Sequence, residues 1–390
     1  MDFGLDSEQR LLIQSLERFI ERELRPLEDE VEATGALDAG VAAELSAKSR
    51  AQGFYAMNIP SELGGGGLCT LDWMLAEERF GHTTDILVRR AFGNVYEILL
   101  AGTREQHARW LAPSVRGERT FSVAFTEPGA GSDAAGIKTR AVRRGKGWRL
   151  NGHKHFVSDG AYSDFFVVTA VTDPAAGGKG ISTFIVDKSA KGFSVGRDQP
   201  MMGLRGTSHV ELFFDDIDLG PEHLLGEQGA GLRLALETLG RIRLAQIGAR
   251  AVGKATRILG LMLEHAGERR QFGQSIGGFQ LVQQMLSDSA IEINAARLAL
   301  LQTAWAIDQG LDAKAGISMV KVQAAETLGR VADRAVQIFG GMGYCKDLPI
   351  ERYYRDARIY RIYDGTSEIH RGVIARSMLE GARPYAIGPS

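Results

Sequence analysis

The spacing of apolar residues changes character twice along this chain, and that double switch limits the fold more than any other feature. From Leu5 to about Arg116 the pattern is helical: Leu11, Leu12, Ser15, Leu16, Phe19 and Ile20 recur as one face of an amphipathic helix. Gly64-Gly65-Gly66-Gly67 interrupts this zone as a loop, and Leu71 to Phe80 resumes the helical spacing. From about Thr120 to Leu225 the apolar runs become short and rich in Val, Ile and Phe. Examples are residues 121–125, 164–169, 181–186 and 210–214, each bounded by turn residues. Arg144-Gly145-Lys146-Gly147 and Asn151-Gly152 read as hairpin turns. No helical pattern lies between these runs, which disfavours a doubly wound nucleotide fold and predicts an antiparallel β domain. After Gly231 the helical spacing returns, with long helices expected over Leu234–His265, Phe279–Gln309 and Gly316–Phe339. The expected architecture is α+β: an N-terminal helical domain (1–118), a middle antiparallel β domain (119–227) and a C-terminal four-helix-bundle domain (228–390). Pro384 to Ser390 reads as a frayed tail.

Bulk properties remove several function classes. A chain of 390 residues exceeds one ordinary core. With 44% hydrophobic and 24% charged residues, it has the balance of a soluble globular protein. A formal net charge of −2 gives no global field toward nucleic acid or membrane. No apolar run approaches the roughly 20 residues of a membrane helix, and the opening residues lack the basic and apolar regions of a secretory leader. Cys69 and Cys345 stand far apart and form neither a disulfide framework nor a zinc motif, so a reducing cytoplasm is expected.

Five segments stand out as sites of chemistry. Phe125-Thr126-Glu127-Pro128-Gly129-Ala130-Gly131-Ser132-Asp133 follows a strand. Its glycines let backbone N–H groups approach an anion and Ser132 can bond a phosphate oxygen, although the same residues suit a plain turn. Asn151 to Gly160 places His153 and His155 on one strand face without further ligands, so no metal is expected; Phe156 and Ser158 offer an aromatic wall and a hydrogen bond. Glu268-Arg269-Arg270-Gln271-Phe272-Gly273 suits either a helix C-terminus or an arginine reaching a pyrophosphate. Gln337-Ile338-Phe339-Gly340-Gly341-Met342-Gly343-Tyr344 ends a helix in a glycine-rich loop. In Arg361 to Arg371, Thr366 or Ser367 can cap a helix, Glu368 favours its first turn, and Asp364 stands just before the cap.

As a set, and across nearly the whole chain, these motifs resemble the acyl-CoA dehydrogenase family. The resemblance implies an FAD between the β domain and the C-terminal helices. Phe125, Thr126, Ser132, Phe156 and Ser158 would contact the flavin or pyrophosphate. Arg269, Phe272, Gln337 and Gly341 of a neighbouring subunit would hold the ADP half, and Thr366 and Glu368 would touch the cofactor. Ser132, Arg243, Tyr363 and Gly365 would meet the acyl-CoA substrate. A homo-oligomer follows, a tetramer in the usual family assembly, with an electron-transfer flavoprotein as electron acceptor. The implied reaction is α,β-desaturation of an acyl-CoA thioester, with hydride passing to flavin N5.

The sequence departs from the family at the base. Most members carry Glu where this chain has Asp364, and the long helix through Arg241 to Gly253 holds Arg241, Arg243 and Arg250 but no acid. Glu237, slightly upstream, is a weaker substitute. Asp is shorter than Glu by one C–C bond, about 1.5 Å, and a misplacement of about 1 Å can cost roughly a hundredfold in rate. Three readings follow: Asp364 is the α-proton base in a tighter site, it serves a nitroalkane-oxidase-like oxidase, or the chain is a flavin-binding scaffold. An enoyl-CoA reductase running the reaction backwards, and acyl carrier protein in place of CoA, also fit the motifs. The arginines 241, 243 and 250 suit CoA phosphates, a substrate carboxylate or surface ion pairs.

Overall fold

The computed structural model describes residues 4–384. The expected tail therefore lies, apart from Pro384, outside the described residues. The first helix, α1 (Ser7–Phe19), starts at a reciprocal cap: Asp6 accepts from the Gln9 N–H while the Gln9 side chain accepts from the Asp6 N–H. Leu16, Phe19 and Ile20 are buried from its apolar face, whereas Leu11 points to solvent. Helices α2 (Glu28–Thr34), α3 (Ala39–Ala51), α4 (Thr70–Phe80), α5 (Asp85–Phe92) and α6 (104–115, of mixed pitch) complete this segment.

Eight strands follow: β1 (Phe121–Ala124), β2 (Arg140–Arg144), β3 (Gly147–Ser158), β4 (Phe165–Val171), β5 (Ile181–Asp187), β6 (Phe193–Asp198), β7 (His209–Leu219) and β8 (Leu224–Leu225). They form one sheet in the order β6-β7-β3-β2-β4-β5-β8, with β1 added on β4. Most pairings are antiparallel, but β1 runs parallel to β4, and Arg140 of β2 meets Val171 of β4 in parallel. The expected antiparallel character holds for most of the sheet, and these two pairings are the parallel exceptions. A parallel pair needs a crossover, and this one is the β2–β3 hairpin, which carries no helical signal. That hairpin turns at Arg144 to Gly147 as expected. Asn151-Gly152 is not a turn: both residues lie inside β3, where Asn151 pairs with Arg140 and the register against β7 shifts between Leu150 and Gly152. The glycine serves close packing, since a Cβ there would lie 2.3 Å from Thr139 Oγ1.

β4 is buried along nearly its whole length because both faces are covered. Phe166, Val168 and Ala170 join Trp148, Leu150, Phe184 and Phe214 in the sheet's own core. Phe165 and Val167 turn to Ile98, Trp110 and Leu111 of the N-terminal segment.

The C-terminal region is built on α7 (231–268), which is continuous through a π-helical stretch at Arg243–Ala249. It is followed by α8 (Gln280–Asp308), α9 (Lys314–Phe339), α10 (Ile350–Ile359) and α11 (Ser367–Leu379). The three long helices fall where the spacing put them. Their shared core also takes Trp73 and Met74 from α4. α4 and α7 cross at backbone contact: a Cβ on Gly253 would lie 1.8 Å from the Glu78 carbonyl oxygen. Among the described residues no helix is long and apolar enough to cross a membrane, and Cys69 and Cys345 are both free and exposed.

Candidate active site

Asp364 lies in the loop between α10 and α11 with a left-handed backbone (φ 53°), and Gly365 follows at φ 93°. A non-glycine residue there is uncommon and persists when its surroundings fix it. Two side chains do so. Arg243 Nε donates to the Asp364 carbonyl at 2.7 Å, and His370 Nε2 lies 3.1 Å from the same oxygen. A carbonyl only accepts, so Nε2 carries the His370 proton and Nδ1 accepts from Ser318 Oγ at 3.1 Å. Burial pushes the His370 pKa down to about 4, which keeps the ring neutral near pH 7. The π-helical turn of α7 presents Arg243 to the loop, a common use of such irregularity. Thr366 caps α11 by accepting the Ile369 N–H, and Glu368 lies exposed in the first turn.

Burial raises the Asp364 carboxyl pKa, opposed by Arg243, Lys321 and Arg89. Lys321 on α9 is fully buried, and its Nζ has no hydrogen-bond partner among the described residues; burial pushes it down to about 8. Tyr363 beside Asp364 is raised well above its ordinary value by burial. Neither Asp364 N–H nor Gly365 N–H donates a bond among the described residues. Glu237 is exposed and pairs with Arg233 on the surface, which removes it as a substitute base.

A second group of expected site residues lies at the end of β3. Phe156 has φ 56° at a bulge between Lys154 and Val157, and is 51% exposed while stacked on His155. The bulge turns an aromatic ring outward from a strand whose neighbours Lys154 and Val157 are buried. Lys154 Nζ donates to the Phe125 carbonyl (3.0 Å), Glu127 Oε1 (2.9 Å) and Thr169 Oγ1 (3.2 Å). Glu127 also accepts from the N–H groups of Lys138 and Thr139. The loop Phe125 to Asp133 is thereby fixed against β3, and His155 N–H donates to the Thr126 carbonyl. Within it Ser132 is exposed, and a Cβ on Gly129 or Gly131 would meet nothing within 4 Å, so backbone there is open to a ligand. His153 and His155 join no metal-ligand cluster among the described residues.

The segments are tied by buried ions. Arg89 pairs with Asp85 and bonds Asp159, next to Ser158, at 2.9 Å; Asn94 donates to the same carboxylate at 3.2 Å. Gln246, also in the π-helical turn, donates to Asn94 at 3.3 Å. Arg250 is buried and pairs with Glu77 (2.6 Å) and Asp85 (2.9 Å), and Arg241 pairs with Glu97 at 2.6 Å. Arg250 is therefore not a surface residue but an internal counter-ion between α4, α5 and α7. Removing one member of such a group costs about 3–5 kcal/mol.

Arg269, Phe272, Gln337 and Gly341 lie elsewhere. Phe272 tips the two-residue ladder after α7 and is 93% exposed. His265 of α7 stacks on Phe339, which brings the C-terminal ends of α7 and α9 together. Gln337 is roughly 28 Å along α9 from Ser318, which bonds the His370 that holds the Asp364 loop, at about 1.5 Å per residue. Within one chain these residues and the Asp364 loop do not meet.

Sequence spacing had singled out Asp364, Thr366, Phe156 and the Thr126 loop. It missed His370, Lys321, Asn94 and Asp159, and the pinning of that loop by Lys154 and Glu127. The one available signal was charge at an inward strand position, Lys154 between two outward histidines.

Models of the acyl-CoA dehydrogenase N-terminal, middle and C-terminal domains match residues 6–118, 122–217 and 229–379. The chain is 37% identical to a 3-(aryl)acrylate reductase of Clostridium sporogenes, covering 96% of this chain and 99% of that protein. It is 36% identical to the caffeyl-CoA reductase-Etf complex subunit CarC of Acetobacterium woodii, again over 96% and 99%. Butyryl-CoA dehydrogenase from Megasphaera elsdenii superposes with a TM-score of 0.90 at 32% identity, over 97% of this chain and 100% of that one.

Proposed function

The chain belongs to the acyl-CoA dehydrogenase family, and from that premise we propose that it is an FAD-dependent oxidoreductase that desaturates an acyl-CoA thioester between Cα and Cβ, with Asp364 as the α-proton base. The observation that carries this reading is the Asp364 loop. A carboxylate with a burial-raised pKa is fixed through its own carbonyl by Arg243 and His370, on strained backbone, with unengaged N–H groups beside it.

The chain's residues suit the cofactor. Phe156 presents an outward ring, Thr126 and Ser158 flank it, and the open backbone at Gly129 to Gly131 with Ser132 suits a pyrophosphate. When bound, FAD supplies a two-electron acceptor for the hydride that leaves Cβ. Asp364 takes the proton from Cα, so the carboxylate gains one proton as the C=C bond forms. The thioester oxygen gains charge in that step, and in this reading the unengaged Asp364 and Gly365 N–H groups supply donors to it. Arg243, bonded to the loop backbone, adds positive potential beside both carboxylate and oxygen. An electron-transfer flavoprotein is the acceptor this reading takes for the reduced enzyme. Homo-oligomerisation belongs to it as well: the Arg269–Phe272–Gln337–Gly341 group reaches a cofactor at the Asp364 loop only from another copy.

A second direction has a specific support. Two of the relatives above are named reductases, so reduction of an α,β-unsaturated acyl-CoA by the same residues is the runner-up. The test is anaerobic mixing of the flavin-loaded protein with acyl-CoAs, small nitroalkanes and, after chemical reduction, enoyl-CoAs. Bleaching by an acyl-CoA supports desaturation, and reoxidation by enoyl-CoA alone supports the reverse. Bleaching by nitroalkanes alone would assign an oxidase. Reaction with none of them would leave a flavin-binding scaffold.

A further inference from the structure

The base and the cofactor face must be placed together, because the proton leaves Cα and the hydride leaves the adjacent Cβ, about 1.5 Å away. They hang on different segments. Asp364 is held by Arg243 in the π-helical stretch of α7, and Ser158, expected beside the flavin, ends β3 next to Asp159. Two bonded routes join Asp159 to α7.

One route is ionic. Arg89 bridges Asp159 and Asp85, and Asp85 pairs with Arg250 at 2.9 Å. Arg250 lies just beyond the π-helical stretch, so this route holds α5 to the regular part of α7. The other route is neutral and runs through one side chain. Asn94 Nδ2 donates to Asp159 Oδ2 at 3.2 Å, and Asn94 Oδ1 accepts from Gln246 Nε2 at 3.3 Å. Gln246 lies inside the π-helical stretch, on the same short segment as Arg243.

The loop after α5 sets where Asn94 stands. Gly93 has φ 74°, and a Cβ there would lie 2.5 Å from Tyr55 Cζ. Asn58 Nδ2 donates to the Val95 carbonyl at 3.0 Å. Cavities of about 150 Å³ and about 20 Å³ border Asn94, so its side chain is held by its two hydrogen bonds more than by packing.

Resting on the desaturation reading, we propose that Asn94 is a positioning residue for that reaction: by fixing Gln246 against Asp159, it sets the π-helical stretch, and with it Arg243 and the Asp364 loop, relative to the Ser158 end of β3. It acts through Arg243 and not on the ester. The ionic route keeps the segments together without it.

The test is single-turnover anaerobic flavin reduction in the FAD-loaded protein, with varied concentrations of the acyl-CoA that best bleaches the wild type. Asn94→Leu keeps the size of the side chain and removes both bonds. It is expected to lower the limiting reduction rate about 10- to 100-fold, the effect of a small misplacement of a reacting group, with half-saturation and FAD content near the wild-type values. Gln246→Met breaks the same link from α7 and should give the same deficit, which keeps the inference testable if Asn94→Leu does not fold. Added to Arg243→Met, either variant should deepen the loss little, since the residues act in series. A merely structural role would lower the urea midpoint and FAD content and leave the limiting rate of the loaded protein unchanged. Reduction of both variants at the wild-type limiting rate, or losses that multiply in full with Arg243→Met, overturn the inference and leave desaturation standing. A wild-type protein that no acyl-CoA reduces overturns both.

Discussion

Asp364 is held by its backbone rather than by its carboxylate, and this determines what substitutions around it do. Arg243→Met removes the 2.7 Å bond to the Asp364 carbonyl while leaving the carboxylate in the loop. The expected result is a fall of about 10- to 100-fold in the rate of flavin reduction, since small misplacements of a reacting group are that costly, with FAD content retained. Stopped-flow absorbance checks it. Burial also sets the pH dependence. A carboxyl raised by desolvation loses its base form at a higher pH than an ordinary Asp, near 3.9, so the rate of flavin reduction should fall on acidification with its midpoint above that value. At this scale the sequence was legible where a residue's role is local: Thr366 caps and Asp364 precedes the cap. Arg243 and His370 were not legible as loop anchors, because their partner is a carbonyl 121 and 6 positions away whose direction depends on an unusual φ.

Elements were readable where one periodicity persists. The long helices over 231–268, 280–308 and 314–339 announce themselves by apolar spacing, and β4 and β5 by short runs rich in Val, Ile and Phe. The π-helical stretch Arg243–Ala249 was not readable, since one extra residue in a turn leaves the apolar pattern almost unchanged. Asn151-Gly152 misled for a related reason: the dipeptide that favours a hairpin also suits a bulge under a close neighbour. The crossing of α4 and α7 gives a sharp element-level prediction. Gly253→Ala puts a methyl into the Glu78 carbonyl, and should cost at least about 1–3 kcal/mol of stability, read as a lowered urea midpoint. Two histidines with pKa values depressed by burial predict acid sensitivity. His82 and His370 are depressed to about 3 and about 4 by burial, from 6.5. For a depressed group the stabilising contribution is complete above the unfolded pKa and is lost as pH falls through the folded one. Stability should therefore decline from about pH 6.5 toward pH 4, by up to about 1.4 kcal/mol per pH unit per histidine. Urea midpoints across that window check it.

For the whole molecule, the order of helical, β and helical segments was plain from the sequence, but the way the segments share side chains was not. Trp73 and Met74 from the N-terminal segment lie in the C-terminal core, and Arg250 answers Glu77 and Asp85. Such long-range pairings leave no trace in local spacing. α8 carries Ile291, Leu298 and Trp305 at seven-residue intervals, 66%, 44% and 47% exposed. An apolar stripe of that spacing on a long helix suits packing against another helix. Leu298→Glu is expected to lower the mass measured by light scattering and, because Arg269 and Phe272 would then lack a neighbouring cofactor, to lower FAD retention as well. The proposed function itself turns on one carboxylate. The most direct test is single-turnover anaerobic reduction of Asp364→Asn by the best acyl-CoA, with FAD content and ester binding measured on the same sample. The account predicts a loss of roughly 10²- to 10⁴-fold in the reduction rate, the usual worth of a general base, with binding preserved; reduction at the wild-type rate would contradict it.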